Sequence, residues 1–271
     1  GNLFKIAINK VDRSGPDPSN PWAQKSLALG EENILPTEGA EFTDLANRVE
    51  VLMNKVKTER GASELVRGFH AKGHACVAGE VTFDVDTIPA DARVGVLKES
   101  GSKPVWIRFS NGAGTFQSDR KVDVRGLAIK ILDVDGPRLS VDASDATART
   151  QDFLFTNGSI NIAADPRHFV ELGEAFQGAK DGNSILGRFG NMVERGGFLL
   201  RPENVRMLDY IAHHVAVRTQ EVGSYLQESF WTAAPLAMGV EEGDPNTARA
   251  KRAAKLQVVG GVLEGDACRP V

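Results

Sequence analysis

The chain has 271 residues, of which 41% are hydrophobic and 25% charged, and its formal net charge is −4. Those proportions sit near globular averages, so the length is enough for one large domain with a substantial core, and extended disorder is not expected. The charge is mildly negative and no Lys/Arg cluster or basic stripe interleaved with aromatics occurs, which excludes nucleic acid as the expected partner.

The N-terminal Gly1-Asn2-Leu3-Phe4 shows no charged region followed by an apolar one, so no secretory leader is read there. No run of about 18 apolar residues marks a membrane span, and the expected compartment is cytoplasmic. Residues 1–40 carry Pro16, Pro18, Pro21 and Pro36 with few periodic apolar positions, the composition of an arm on the domain surface or on a partner subunit. Residues 41–271 form the domain. From Phe42 onward, Leu45, Val49, Leu52 and Val56 recur at the spacing of one helical face, and Gly61 is its stop.

That helix delivers the chain to Arg67-Gly68-Phe69-His70-Ala71-Lys72-Gly73, a histidine between an arginine and a run of small residues at the start of an extended segment. Alternating Val81, Phe83 and Val85 then predict a strand across 77–85. The runs at Pro104–Ser110, Gly126–Leu132 and Asp152–Thr156 predict three more, with a Gly/Asp/Ser-rich loop between Asn111 and Arg125. Strands separated by loops rather than helices favour an antiparallel sheet or barrel. After Asp165-Pro166 the pattern turns helical at 169–176 and again at 203–217, and the remainder from Phe230 shows little periodicity. The expected class is α+β. The two cysteines, Cys76 and Cys268, lack the short spacing of a structural zinc site; they read as reduced thiols, with a bridge between them left open.

Several polar residues stand on or beside these strands without a structural need. Residues two apart on a strand share a face, so Arg108 and Ser110 point together. Singly, each polar residue has an ordinary role: Arg67 and Arg108 as ion-pair residues, Ser110 as a strand-end cap, Asn157-Gly158 as a turn.

In order and wording, however, they resemble the heme catalase family. The phrase Arg67–Gly73, followed by Ala78-Gly79-Glu80 and Phe83, is similar to that family's distal-histidine segment. Val105-Trp106-Ile107-Arg108-Phe109-Ser110, then Ala113-Gly114, Asp119, Asp123 and Arg125-Gly126-Leu127-Ala128-Ile129-Lys130, resembles its next block. Gln151-Asp152-Phe153 through Asn157, with Asp165 and Phe169, resembles the distal-asparagine segment, and Phe230-Trp231 with Pro235 and Gly239 a later element. The resemblance covers roughly residues 60–170. Given the length, the small catalase-like heme proteins and the allene oxide synthase branch are the nearer comparison.

The resemblance implies an antiparallel β-barrel core with surrounding helices and a buried heme b. It implies His70 as the base that takes and returns a peroxide proton, Asn157 as a hydrogen-bond donor to peroxide, and Ser110 as the group fixing the imidazole tautomer. Arg67 and Arg108 are then expected on the heme propionates, with Phe69 and Phe155 also lining the cofactor. The expected activity is peroxide consumption, by disproportionation or by oxidation of a small organic donor, in a homo-oligomer. The alternatives are conversion of a fatty-acid hydroperoxide and a heme-free domain used for binding.

Two departures stand out. The family usually has a small β-branched residue where this chain has Phe69, and it ligates iron through an Arg-x-x-x-Tyr helix beyond the segment resembling Phe230–Gly239. The only tyrosines here are Tyr210 and Tyr225, both upstream of that point. The metal ligand is therefore left unassigned: an absent C-terminal part, a second polypeptide, another residue such as His213 or His214, or no heme at all would each account for it. The first of these is the expectation.

Overall fold

Helix α1 (Glu38–Arg60) ends where the sequence places its stop, because Gly61 takes the left-handed conformation at φ 60°. There its N–H bonds Thr58 O, and Ala62 N–H bonds Lys57 O. In this computed structural model the described residues are 36–64, 66–114, 116–119, 123–136, 147–161, 163, 165–178, 222–240, 250–264 and 267–270. Most of the proline-bearing arm, the helical pattern at 203–217 with Tyr210, His213 and His214, and the charged stretch at 241–249 lie outside them.

Leu45, Leu52 and Val56 bury one face of α1, which packs on α2 (Pro166–Gly178). Two features join the helices. Arg48 donates from Nε and Nη2 to the two carboxylate oxygens of Glu174, at 2.8 and 2.7 Å. Phe69 meets Phe169 with ring centroids 5.0 Å apart and fills the space over Gly173, where an added Cβ would lie 2.5 Å from Phe69 Cζ.

The main sheet has six strands, all antiparallel, in the order β1-β2-β3-β4-β5-β8. They are β1 (Gly73–Phe83), β2 (Gly101–Asn111), β3 (Arg125–Leu132), β4 (Thr150–Thr156), β5 (Phe230–Thr232) and β8 (Gln257–Val258). Two hairpin pairs complete the strands: β6 (Leu236–Val240) with β7 (Ala250–Ala254), and β9 (Gly261–Glu264) with β10 (Ala267–Pro270). Among the described residues the fold is mixed and sheet-dominated, with few helices.

The sequence marks the first four strands within a few residues but leaves the tail without structure. The reason is length: β5 to β10 run from two to five residues, too few for an alternation to show. No described helix is long and apolar enough to cross a membrane. Cys76 is a free, exposed thiol.

The central strands present two unlike faces. On one side Val105, Leu127, Ile131, Phe155 and Phe230 are buried, joined by Phe83 and Met238 in the core. On the other side the register aligns Cys76, Arg108, Ala128 and Leu154 in one cross-strand row, and Gly73, Ser110, Gly126 and Thr156 in the next. Trp106 and Leu154 on this second face remain 46% and 70% exposed.

Replacing Gly173 with leucine should force Phe69 out of its seat and destabilise the fold by about 1–3 kcal/mol, the usual cost of overpacking. The partly solvated Arg48–Glu174 pair is a weaker joint, so Arg48→Ala should cost less than about 1 kcal/mol. Urea denaturation of both variants checks the order, and an Arg48→Ala loss exceeding that of Gly173→Leu would contradict it.

Candidate functional site

His70 stands where the chain reverses into β1. Its φ of 51° lies in the left-handed region, which a non-glycine residue enters at a cost of about 1–3 kcal/mol. Four contacts hold it there. The His70 N–H donates to Gly112 O at 3.0 Å and Ala71 N–H to Ala113 O at 3.3 Å. Arg108 Nη2 donates to His70 O at 2.7 Å, and the ring Nδ1 lies 3.0 Å from Ser110 Oγ.

The imidazole rests on Gly126. A Cβ there would overlap Nδ1 and Cε1 of His70 and lie 2.8 Å from Ser110 Oγ, so only glycine leaves room for the ring. Phe69, the residue before, goes the other way into the α1–α2 contact. Adjacent residues thus anchor to different layers, and the imidazole is fixed from both.

Burial, and then the Arg108 guanidinium, push the His70 imidazole from its ordinary 6.5 down to about 4. At neutral pH it is an uncharged base. Arg108 is itself lowered, first by burial and then by the neighbouring Arg67 cation. Neither arginine has a carboxylate partner among the described residues. Two cations held together without an anion, beside a neutral imidazole, make a place for carboxylates or phosphates.

The structure brings together His70, Ser110, Arg108 and Arg67. It does not bring the other expected residues to them. Asn157 follows the end of β4, two strand spacings from Ser110, on the order of 10 Å. It is buried at 4% exposure and spends its amide internally: Oδ1 accepts from Arg125 N–H at 2.9 Å, and Nδ2 donates to Glu228 Oε2 at 2.9 Å. Phe155 lies in the core on the opposite face, opposite Leu127, because β4 alternates and Thr156 takes the His70 side.

A second polar cluster lies on that core side. Asn111 Oδ1 accepts from His74 Nε2 at 2.9 Å, from Tyr225 OH at 2.9 Å and from Arg125 Nη1. Asn111 Nδ2 donates to Asp119 Oδ1 at 3.1 Å, and Lys72 Nζ pairs with the same oxygen at 2.7 Å. Sequence reasoning missed this group, since Asn111 and Tyr225 are 114 positions apart. Its one local sign was His74, four residues after His70.

Among the described residues no group of three or more His, Cys, Asp or Glu side chains could hold a metal ion. No protein-family model and no curated protein matches the chain.

The depressed His70 pKa has a signed consequence. Below pH 6.5 the unfolded chain takes up a proton that the folded site refuses until about pH 4. Stability should therefore fall as pH drops through that window, by on the order of 3 kcal/mol in total from this residue, and be fully present above it. A His70→Gln variant should lose that part of the slope when denaturation midpoints are compared from pH 7 to 4. Parallel curves for the two proteins would show that His70 titrates normally.

Proposed function

We propose that the chain is a catalase-like heme protein that consumes peroxide, by disproportionation or by oxidation of a small organic donor. The observation that supports this most is the neutral His70, oriented by Ser110 and flanked by two arginines lacking carboxylate partners among the described residues, at the edge of an exposed sheet face.

Those residues fit a porphyrin. A heme is a flat apolar disc with two carboxylates at one edge; the face beside His70 offers small residues at Ala78 and Ala128 and exposed apolar side chains at Trp106 and Leu154. Arg67 and Arg108 would take the propionates. Heme b, when bound, supplies the iron that exchanges electrons with peroxide.

The rest is the work of the chain. With Nδ1–H donating to Ser110 Oγ, His70 Nε2 is the bare nitrogen, able to accept a peroxide proton and return it to the departing oxygen. Its low pKa keeps it unprotonated before each cycle. Asn157, which the resemblance puts on peroxide, is held by Arg125 and Glu228 and takes no step in this proposal. Tyr225 is turned to Asn111 on the core side, away from His70, and has no part in this chemistry. On this reading the six-stranded sheet is one wall of a closed antiparallel barrel, and the arm at 1–40 serves homo-oligomer contacts.

The exposed Trp106 and Leu154 also favour a second reading, in which an apolar chain lies along the same face and the substrate is a fatty-acid hydroperoxide. Product analysis separates the two, because only disproportionation releases oxygen.

Heme reconstitution of the purified chain should give a Soret band. Arg67→Gln should weaken heme retention, and His70→Gln should keep the band while lowering peroxide consumption by about 10²-fold or more, the usual contribution of general acid–base catalysis. Absence of a Soret band, or full turnover in His70→Gln, would overturn the proposal.

A further inference from the structure

The cluster on the core side borders a cavity of about 220 Å³ whose lining includes His74, Asp119, Arg125, Ser224 and Tyr225. We propose that this cavity binds a small organic carboxylate of about the size of benzoate, with the Arg125 guanidinium as its anchor. The inference does not rest on the reading of the His70 face, from which the sheet itself separates it.

The argument is a count of donors against acceptors. Asn111 Oδ1 receives three donors, from His74, Arg125 and Tyr225, where an amide oxygen has two lone pairs. His74 Nε2 faces two acceptors, Asn111 Oδ1 at 2.9 Å and Asp119 Oδ1 at 3.3 Å, so this nitrogen carries the hydrogen. Tyr225 keeps its proton, because burial pushes the phenol up to about 12. Arg125 is only 6% exposed, and its Nε has no partner among the described residues. Donors crowd Asn111 Oδ1, while Arg125 Nε has no acceptor among the described residues.

The charges lead to the same conclusion. Arg125 Nη1 and Nη2 go to an amide and a backbone carbonyl, Asn111 Oδ1 and Asp119 O, and not to a carboxylate. The Asp119 carboxylate is neutralised by Lys72 at 2.7 Å. Asp123, the next carboxylate, feels the Arg125 charge but bonds Ala113 N–H and Gln117 Nε2 instead, and burial raises its pKa. A buried guanidinium with no carboxylate bonded to it is costly, and a carboxylate beside it gives the charge-assisted bond it lacks while relieving Asn111 of its third donor.

Size and shape then narrow the ligand. A cavity of about 150 Å³ holds a benzene ring, so the 220 Å³ here accommodates a ring with one carboxylate. The wall is aromatic, formed by His74 and Tyr225 with ring centroids 5.0 Å apart. A phosphate alone would leave most of that volume empty.

Calorimetric titration of the full chain with sodium benzoate, and with benzamide as a neutral molecule of similar shape, tests the proposal. Benzoate should bind one to one and raise the melting midpoint, with benzamide weaker by about tenfold or more, the loss of one charge-assisted bond. Tyr225→Phe keeps the ring and should weaken benzoate severalfold; Arg125→Gln should abolish binding. If Arg125→Gln fails to fold, the benzoate–benzamide difference and Tyr225→Phe still decide. Amide shifts in the benzoate titration should centre on Gly223, Ser224 and Tyr225. Equal binding of benzoate and benzamide, no binding of either, or shifts centred on His70 would overturn the assignment. None of these readouts needs heme, so a colourless protein that binds benzoate would reject the proposal for the His70 face and leave this one standing.

Discussion

The register between β2 and β3 fixes both polar clusters at once. Ser110 pairs with Gly126 and Asn111 with Arg125, and neighbouring residues alternate between faces. A slip of one residue would carry Arg125 under the imidazole and leave Gly126 in the core. The buried apolar set Val105, Leu127 and Ile131 holds the register, because the same slip would expose all three. The positions of both polar clusters are thus specified by apolar residues outside them.

His70 shows how such a frame supports strain. A left-handed histidine is unfavourable by itself, and its imidazole is kept neutral beside two cations. Each penalty is met by a contact from a different element: Gly112 O from the loop after β2, Arg108 from β2, the bare surface of Gly126 from β3, and Phe69 locked into the helix pair. Removing one leaves the others to hold an unfavourable conformation, so the local structure is over-determined, as expected where backbone strain persists. The cost of burying His70 beside Arg108 shows in the imidazole, which stays unprotonated at neutral pH.

Much of this frame was legible in the sequence and some was not, for physical reasons. Four strands and the first helix could be read because their periodicities extend over enough residues to be seen, and Gly61 marked a helix end that only glycine serves well. Arg108 and Ser110 could be placed on one face from their spacing alone. Phe155 could not be assigned a face without register, and the structure puts it in the core. The role of Gly126 was hidden because a glycine in a strand states only that something comes close, not that it is the ring of a histidine 56 positions earlier (126 − 70). The cluster around Asn111 was the least visible, since its members come from β1, β2, β3, the loop before β3 and the turn before β5.

The two clusters differ in what they lack, and the difference follows from their faces. On the open face, charge is repulsive and partly hydrated: Arg67 is exposed and close to Arg108, and the neutral base beside them has room for a ligand of considerable area. On the core face Arg125 is buried beside a half-open cavity, and its Nε lacks an acceptor among the described residues. Hydrogen bonds in a low-dielectric interior are worth more when made and cost more when missing, so an unmatched guanidinium is a larger imbalance in the core than on the open side. A single sheet, by alternating its residues, thus holds two polar clusters on opposite faces.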